Sequence, residues 1–372
     1  MRIALIGRRF DPAGGGTERD LAITAEILMR AGHEVSLYAD EVRSQTDGLR
    51  VRRIGGPRMG RALGLWWFAN RAGRIARLEG AEVVFSFARI TDADILRSGG
   101  SAHSSYLLAA RRWLSPSGVT ALRLSPYHRV QVTVERRGFA SPGLKRAIAV
   151  SDLVRLDLIE TFSLAHRKAL TLYNGVDLER FRPRTDDAIR VRMRRQFEIP
   201  QAAPTAIFIG NGFARKGLRF LIEAWPALDQ NAHLIVAGTD QAITSYRRLA
   251  NRLGIAARIR FVGPQDRIED VFAAADALAM PSLFEPFGNV IMEAMASGLP
   301  VLCSAACGAA ETLPREFREF VLSDPTEITE LAARMKMVLA VGRDLSQVAR
   351  DAAEHFTWDR YGRELLDLIQ SL

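Results

Sequence analysis

The sequence predicts an α/β protein of two domains, each a parallel sheet with helices on both faces. Three observations lead there. The chain has 372 residues, 48% apolar and 25% charged, which suits two buried cores of ordinary size rather than a disordered chain. Short apolar runs alternate with longer segments of helical spacing, the pattern of a parallel sheet with right-handed crossovers. In each half the first run leads into a glycine-containing loop, Gly14-Gly15-Gly16 and later Asn211-Gly212 through Gly217. Such sheets bind ligands beyond the carboxyl ends of their strands.

Arg2–Gly7 reads as the first buried strand. After the loop Arg8–Gly16, Thr17 reads as the N-cap of a helix through Ala31, closed at Gly32. The glycines do not follow Gly-x-Gly-x-x-Gly, and no Lys-Ser/Thr follows them, so neither the dinucleotide nor the P-loop fingerprint is met. They fit a tight turn as well as an anion or sugar site. Strands are expected at 33–39, 49–54 and 82–87. Asp92-Ala-Asp94 is a spacing too common by chance to read as a metal pair. Another strand ends at Gly99-Gly100, and His103 opens a helix on the edge where ligands bind. A neutral imidazole there could hydrogen-bond a sugar hydroxyl or orient an acceptor. Lys145–Val150 is a strand, and Ser151 caps the helix after it. The Asn174-Gly175 turn marks the boundary. The expected domains are 1–173 and 174–354, with 355–372 as a closing helix.

In the second half, Thr205–Gly210 is a buried strand, and Arg215 and Lys216 stand at the start of the helix that follows. That is the wrong helix end for cations. A diphosphate between the cations and the helix would resolve the conflict. Leu234–Gly238 and Ile259–Gly263 are further strands, and Ile268–Ala275 is a helix. Then come the strand Asp276–Met280 and the loop Pro281–Gly288, with a helix starting near Asn289 and stopping at Gly298. Glu285 falls in the loop, and Glu293 about one turn inside the helix, roughly 6 Å further along its axis. A phosphate can sit on the N–H groups of Phe287, Gly288 and Asn289, with a carboxylate on either side for vicinal hydroxyls. The ligand implied is a sugar joined through diphosphate to a nucleoside. A bare Glu-x7-Glu would equally describe a helix cap and a solvated helix residue.

The full stretch Glu285-Pro286-Phe287-Gly288-x4-Glu293-Ala-Met-Ala-x-Gly298-x-Pro300-Val301 resembles the nucleotide-sugar motif of glycosyltransferase family 4, retaining enzymes of the GT-B fold. Asn174-Gly-Val-Asp-x-x-x-Phe181 and the closing helix from His355 are similar to that family too. The resemblance implies two Rossmann-like domains facing across a cleft, the second holding the donor and the first the acceptor. It implies that Glu293 holds the ribose, that Glu285 contacts the donor sugar, and that Arg215 and Lys216 bind its phosphates. Phe287, Gly288, Asn289 and Val290 complete the donor motif, and His103 lies near the reacting sugar. Gly14, Gly15, Gly16 and Asp20 resemble the Gly-Gly-x-x-Arg-Asp loop of the lipopolysaccharide core glucosyltransferase subgroup, with one residue of slack. The subgroup implies a UDP-sugar donor, probed first as UDP-glucose, a glycolipid or lipopolysaccharide-core acceptor, and no metal or other cofactor.

The net charge of +9 is uneven. Residues 1–180 hold 28 Lys/Arg against 18 Asp/Glu, and the remainder 23 against 24. The basic half suits an acidic partner. Segments 58–78 and 107–139 mix Arg with Trp, Phe and Leu, as on an anionic membrane surface; the same residues would also suit helices whose aromatics face the core. No nucleic-acid module accompanies the charge. Cys303 and Cys307 have no zinc-type partners and read as reduced packing residues. No stretch reads as a signal peptide or membrane span. The expected place is the cytoplasm, peripheral on the inner membrane face.

Overall fold

The computed structural model describes residues 1–11, 14–44, 48–56, 60–183 and 187–372. Pro12 and Ala13 of the glycine loop, and Arg58 of the first basic segment, lie outside the described residues. The chain divides into two units, Met1–Asn174 with Trp358–Leu372, and Gly175–Thr357.

The first unit carries seven strands: β1 (Arg2–Phe10), β2 (Glu34–Val42), β3 (Arg50–Arg53), β4 (Val83–Ser86), β5 (Ile95–Ser98), β6 (Arg146–Ala149) and β7 (Ala169–Thr171). They pair in parallel in the order β3-β2-β1-β4-β5-β6-β7. The order reverses between β1 and β4, the switch point where such sheets open a crevice at their carboxyl ends. The connecting helices are α1 (Gly16–Arg30), α2 (Gly60–Leu78), α3 (His103–Ala109), α4 (Pro116–Leu124), α5 (Pro126–Phe139) and α6 (Asp152–Phe162). Helix α1 starts one residue before the expected cap. Gly15 is its N-cap, and Thr17 lies in its first turn. Ser151 does cap α6, accepting from the Val154 N–H at 3.2 Å.

The second unit has six parallel strands: β8 (Thr205–Ile209), β9 (His233–Ala237), β10 (Ile259–Gly263), β11 (Ala277–Met280), β12 (Val301–Ser304) and β13 (Val321–Leu322). Their order is β10-β9-β8-β11-β12-β13, with the reversal between β8 and β11. Helices α7 (Asp187–Gln196), α8 (Leu218–Ala224), α9 (Ile243–Arg252), α10 (Ile268–Ala274), α11 (Asn289–Ala296), α12 (Ile328–Val341) and α13 (Ser346–Glu354) flank it. The loop after β8 carries Arg215 and Lys216, and the loop after β11 carries Glu285. Adjacent strands at the switch point thus bring together residues about seventy positions apart.

The last helix, α14 (Trp358–Gln370), packs in the first unit. Tyr361, Leu365 and Ile369 lie on one face at helical spacing and join the core of Leu5, Leu21, Leu28 and Leu37. The Tyr361 hydroxyl and Thr24 Oγ1 are hydrogen-bonded at 3.0 Å, which satisfies both polar atoms inside that core. Among the described residues no helix is long and apolar enough to cross a membrane.

Candidate active site

In the second unit the expected donor residues meet around one carboxylate. Lys216 Nζ donates to Glu285 Oε2 at 2.7 Å, and an Arg215 terminal nitrogen donates to the same oxygen at 3.0 Å. That Arg215 nitrogen also donates to the Phe284 carbonyl at 2.6 Å. The Glu285 and Lys216 side chains are largely buried. Burial alone would raise the Glu285 carboxyl, but Lys216 and then Arg215 outweigh it, so the group stays ionised below the usual carboxylate range. The cations are therefore already half-neutralised. One carboxylate faces two cations, and the cluster keeps an excess positive charge.

The Glu285 loop is held by backbone. Its N–H donates to the Ala306 carbonyl at 2.9 Å, and its carbonyl accepts from Gly308 at 2.9 Å. This bridge pairs Glu285 with Cys307. Cys303 and Cys307 are both buried and unoxidised beneath it. The Phe287 carbonyl accepts from Ala309 at 2.8 Å, and the Phe287 ring is buried. Gly288 is the N-cap of α11 at φ +98°, a left-handed conformation, and a Cβ there would press Glu285 Cγ at 3.3 Å. The N-cap residue of α11 is a glycine and has no side chain to cap it, and the Glu285 carboxylate accepts from Lys216 and Arg215. Asn289 and Val290 are half-exposed in its first turn, and Glu293 is half-exposed further along.

In the first unit, Gly14, Gly15 and Gly16 are exposed at the start of α1. Asp20 points elsewhere. It is buried, and its Oδ2 accepts from Arg97 at 2.9 Å and from Asn174 Nδ2 at 3.1 Å. Arg97 also donates to Asn174 Oδ1 at 2.6 Å and lies 4.7 Å from the Phe87 ring centre. Asp20 therefore ties the glycine-loop helix to β5 and to the end of the unit. His103 is buried at the start of α3. Its Nε2 is 2.9 Å from His128 Nδ1, and its N–H donates to Glu135 Oε2 at 2.6 Å. Burial first, then the Arg89 charge and His128, lower its pKa to about 4, so the imidazole is neutral at pH 7. A cavity of about 250 Å³ is lined by Thr17, Arg89, Arg97, Gly99, Gly100 and Glu135, among others; it shares Glu135 with the His103 contact but is not lined by His103.

Asp92 and Asp94 have structural partners. Arg77 bridges both, at 3.2 and 3.0 Å, and Asp94 accepts from the Val84 N–H at 2.8 Å. The two basic segments differ. Trp66 and Trp67 of α2 are half-buried, each with an arginine over its ring, Arg137 at 4.7 Å and Arg71 at 5.5 Å. Helix α4 buries none of its residues, and Leu108, Arg111, Arg112, Arg123, Leu124 and Arg129 around it are exposed. Sequence reasoning did not single out His128, Glu135 or Arg89. A usable signal was present, because His128 and Glu135 are seven residues apart and share a face of α5.

Residues 190–355 match the family model described as glycosyl transferases group 1, and residues 14–180 match glycosyltransferase family 4. The D-inositol 3-phosphate glycosyltransferase of Salinispora tropica is 30% identical over 320 residues, covering 76% of this chain and 66% of that protein. Across five curated relatives the match spans 47–66% of their own length. Among solved structures, WaaG, a glycosyltransferase involved in lipopolysaccharide biosynthesis, superposes with a TM-score of 0.80 at 21% identity over 99% of both chains. Anabaena Alr3699/HepE in complex with UDP-glucose gives 0.70 at 21% identity over 100% of both.

Proposed function

Because the chain belongs to the family 4 glycosyltransferases and has their GT-B fold, we propose that it is a retaining hexosyltransferase using a nucleoside-diphosphate sugar, UDP-glucose first among candidates. The Arg215–Glu285–Lys216 cluster carries this reading. Its two cations and the N-terminal N–H groups of α11 would stabilise charge growing on the leaving diphosphate, which is transition-state electrostatics. They would supply what a metal supplies elsewhere, so the reaction is expected to run in EDTA. Both cations bind Glu285 Oε2, which leaves Oε1 to accept from a donor-sugar hydroxyl. Glu293 would accept from the ribose. Within the first unit, Gly15, Gly16 and His103 would bind sugar, with Asp20 holding the glycine loop from behind. The HepE complex with UDP-glucose supports the donor.

For the acceptor we propose a lipid-linked or lipopolysaccharide-core glycan met at the cytoplasmic membrane face, with α4 and its exposed leucines and arginines toward anionic lipid. The WaaG likeness supports that choice through its fold. A second acceptor class, a small phosphorylated polyol, is favoured by the Salinispora relative and by a first-unit cavity large enough for one ring, with Arg89 at its wall.

The test is thermal stability with UDP, GDP, ADP and CMP, each in EDTA, followed by turnover of the matching nucleotide sugars. A ligand at about 100 times its dissociation constant adds roughly 2.7 kcal/mol. A shift with UDP alone supports the donor assignment, and a shift with GDP or ADP replaces the donor. No shift with any of them overturns the site. Glu285→Ala and Lys216→Ala should each lower turnover at least about tenfold with the fold intact; near-normal turnover in both would refute the assignment.

A further inference from the structure

Helix α5 grips the first residue of α3 at two points. At the lower one, Glu135 Oε2 accepts the His103 N–H at 2.6 Å, while its Oε1 accepts from Arg89 Nε at 2.7 Å. Glu135 is buried, so both its oxygens are committed by geometry. Two turns earlier on the same face, His128 Nδ1 stands 2.9 Å from His103 Nε2. The two rings lie side by side across that contact, 5.1 Å between centres with 17° between planes, and the Tyr106 ring centre is 5.7 Å from that of His103. On the far side of His128, Tyr127 packs edge-on at 5.5 Å and holds the Arg61 guanidinium over its own ring.

We propose that His128 is a positioning residue that fixes both the ring orientation and the tautomer of His103. The inference rests on the reading of His103 as a site residue. Its chemistry is simple. One hydrogen bond joins two ring nitrogens, so one must carry the proton and the other must offer a lone pair. Whichever holds, the partner commits Nε2 of His103 and leaves only Nδ1 to meet a ligand, with a character opposite to that of Nε2. A neutral imidazole whose second nitrogen is engaged by a neighbour has a defined tautomer and orientation. Burial first, then the Arg89 charge and His128, keep it neutral. Of the carboxylates near it, Glu135 is occupied by the backbone N–H and Arg89, and Asp157 by the Ala102 N–H and the Ser105 hydroxyl.

The experiment measures UDP release from UDP-glucose between pH 4.5 and 8.5, together with 15N resonances of the histidine rings. His128→Phe keeps an aromatic ring at this position and removes the acceptor and donor. It should lower kcat about tenfold, in line with loss of an orienting partner, leave KM for UDP-glucose within about twofold, and shift the acid limb of kcat upward. The His103 resonances should change from one tautomer to a mixture. His128→Asn places an amide near the position of Nδ1 and should restore most of the rate. An unchanged kcat and acid limb in His128→Phe, with His103 still in a single tautomer, would overturn the proposal. His103→Ala separates the two readings. Full turnover in that variant refutes the site role of His103, while the tautomer measurement on the wild-type protein and His128→Phe still decides the pairing.

Discussion

Gly210→Ala tests the donor cluster from a residue that touches no ligand. Gly210 directly follows β8 at φ +143°, where side chains are rarely tolerated. A Cβ there would lie 2.4 Å from Lys216 Cε, 2.6 Å from Cδ and 3.0 Å from Nζ. The Lys216 stem is flexible and would move aside, so the clash itself is cheap. Moving it, however, takes Nζ off Glu285 Oε2, now 2.7 Å away. The backbone strain should cost about 1–3 kcal/mol, seen as a fall in Tm of about 2–4 °C per kcal/mol for a unit of this size. The functional effect should equal that of Lys216→Ala, at least about tenfold in turnover, or roughly 1.4 kcal/mol of activation free energy. The double variant distinguishes the cause. If alanine at 210 acts by displacing Lys216, the double loses about tenfold; independent effects would multiply to about a hundredfold. Initial rates of UDP release on the four proteins, with circular dichroism to confirm folding, decide it. Turnover of Gly210→Ala within about threefold of wild type, or a multiplicative double, would rule out displacement of Lys216 as the cause.

Two further outcomes follow from the same geometry. The unfolded chain protonates His103 near the ordinary 6.5, whereas the folded chain resists until about pH 4. The unfolded state thus binds more protons between those values, so stability is complete above about pH 6.5 and is lost as pH falls toward 4; Tm measured across this window should drop, and His103→Phe should flatten that slope. Asp20→Ala leaves the Arg97 cation buried without its carboxylate and should destabilise the first unit by about 3–5 kcal/mol; denaturant unfolding that shows less than about 1 kcal/mol would mean that Asn174 alone can hold Arg97.

Strands, helices and loop positions could be read from the chain because they obey local rules. An apolar run such as Ala277–Met280 with turn residues after it is a buried strand wherever it sits, and Gly288 before a helical period marks a helix start from its backbone freedom alone. The residue types at the donor loops, Arg215, Lys216, Glu285 and Glu293, could likewise be recognised one stretch at a time. Their electrostatic state could not. Read alone, the two cations conflicted with the helix they precede and called for an outside anion; folded, they lie on Glu285, nearly seventy residues on, because β8 and β11 are neighbours in the sheet. Asp20 resembles a donor-binding residue of the glycine-loop motif, yet its Oδ2 is held inward by Arg97 and Asn174, the latter 154 positions away. The seven-residue spacing of His128 and Glu135 put them on one face of α5, but what that face meets, His103, appears only once α5 is laid against α3. Periodicity records what each residue does for its own element, and that is local. Which charge neutralises which, and which imidazole is held in one tautomer, depends on sheet order and helix packing, and only the tertiary structure decides those.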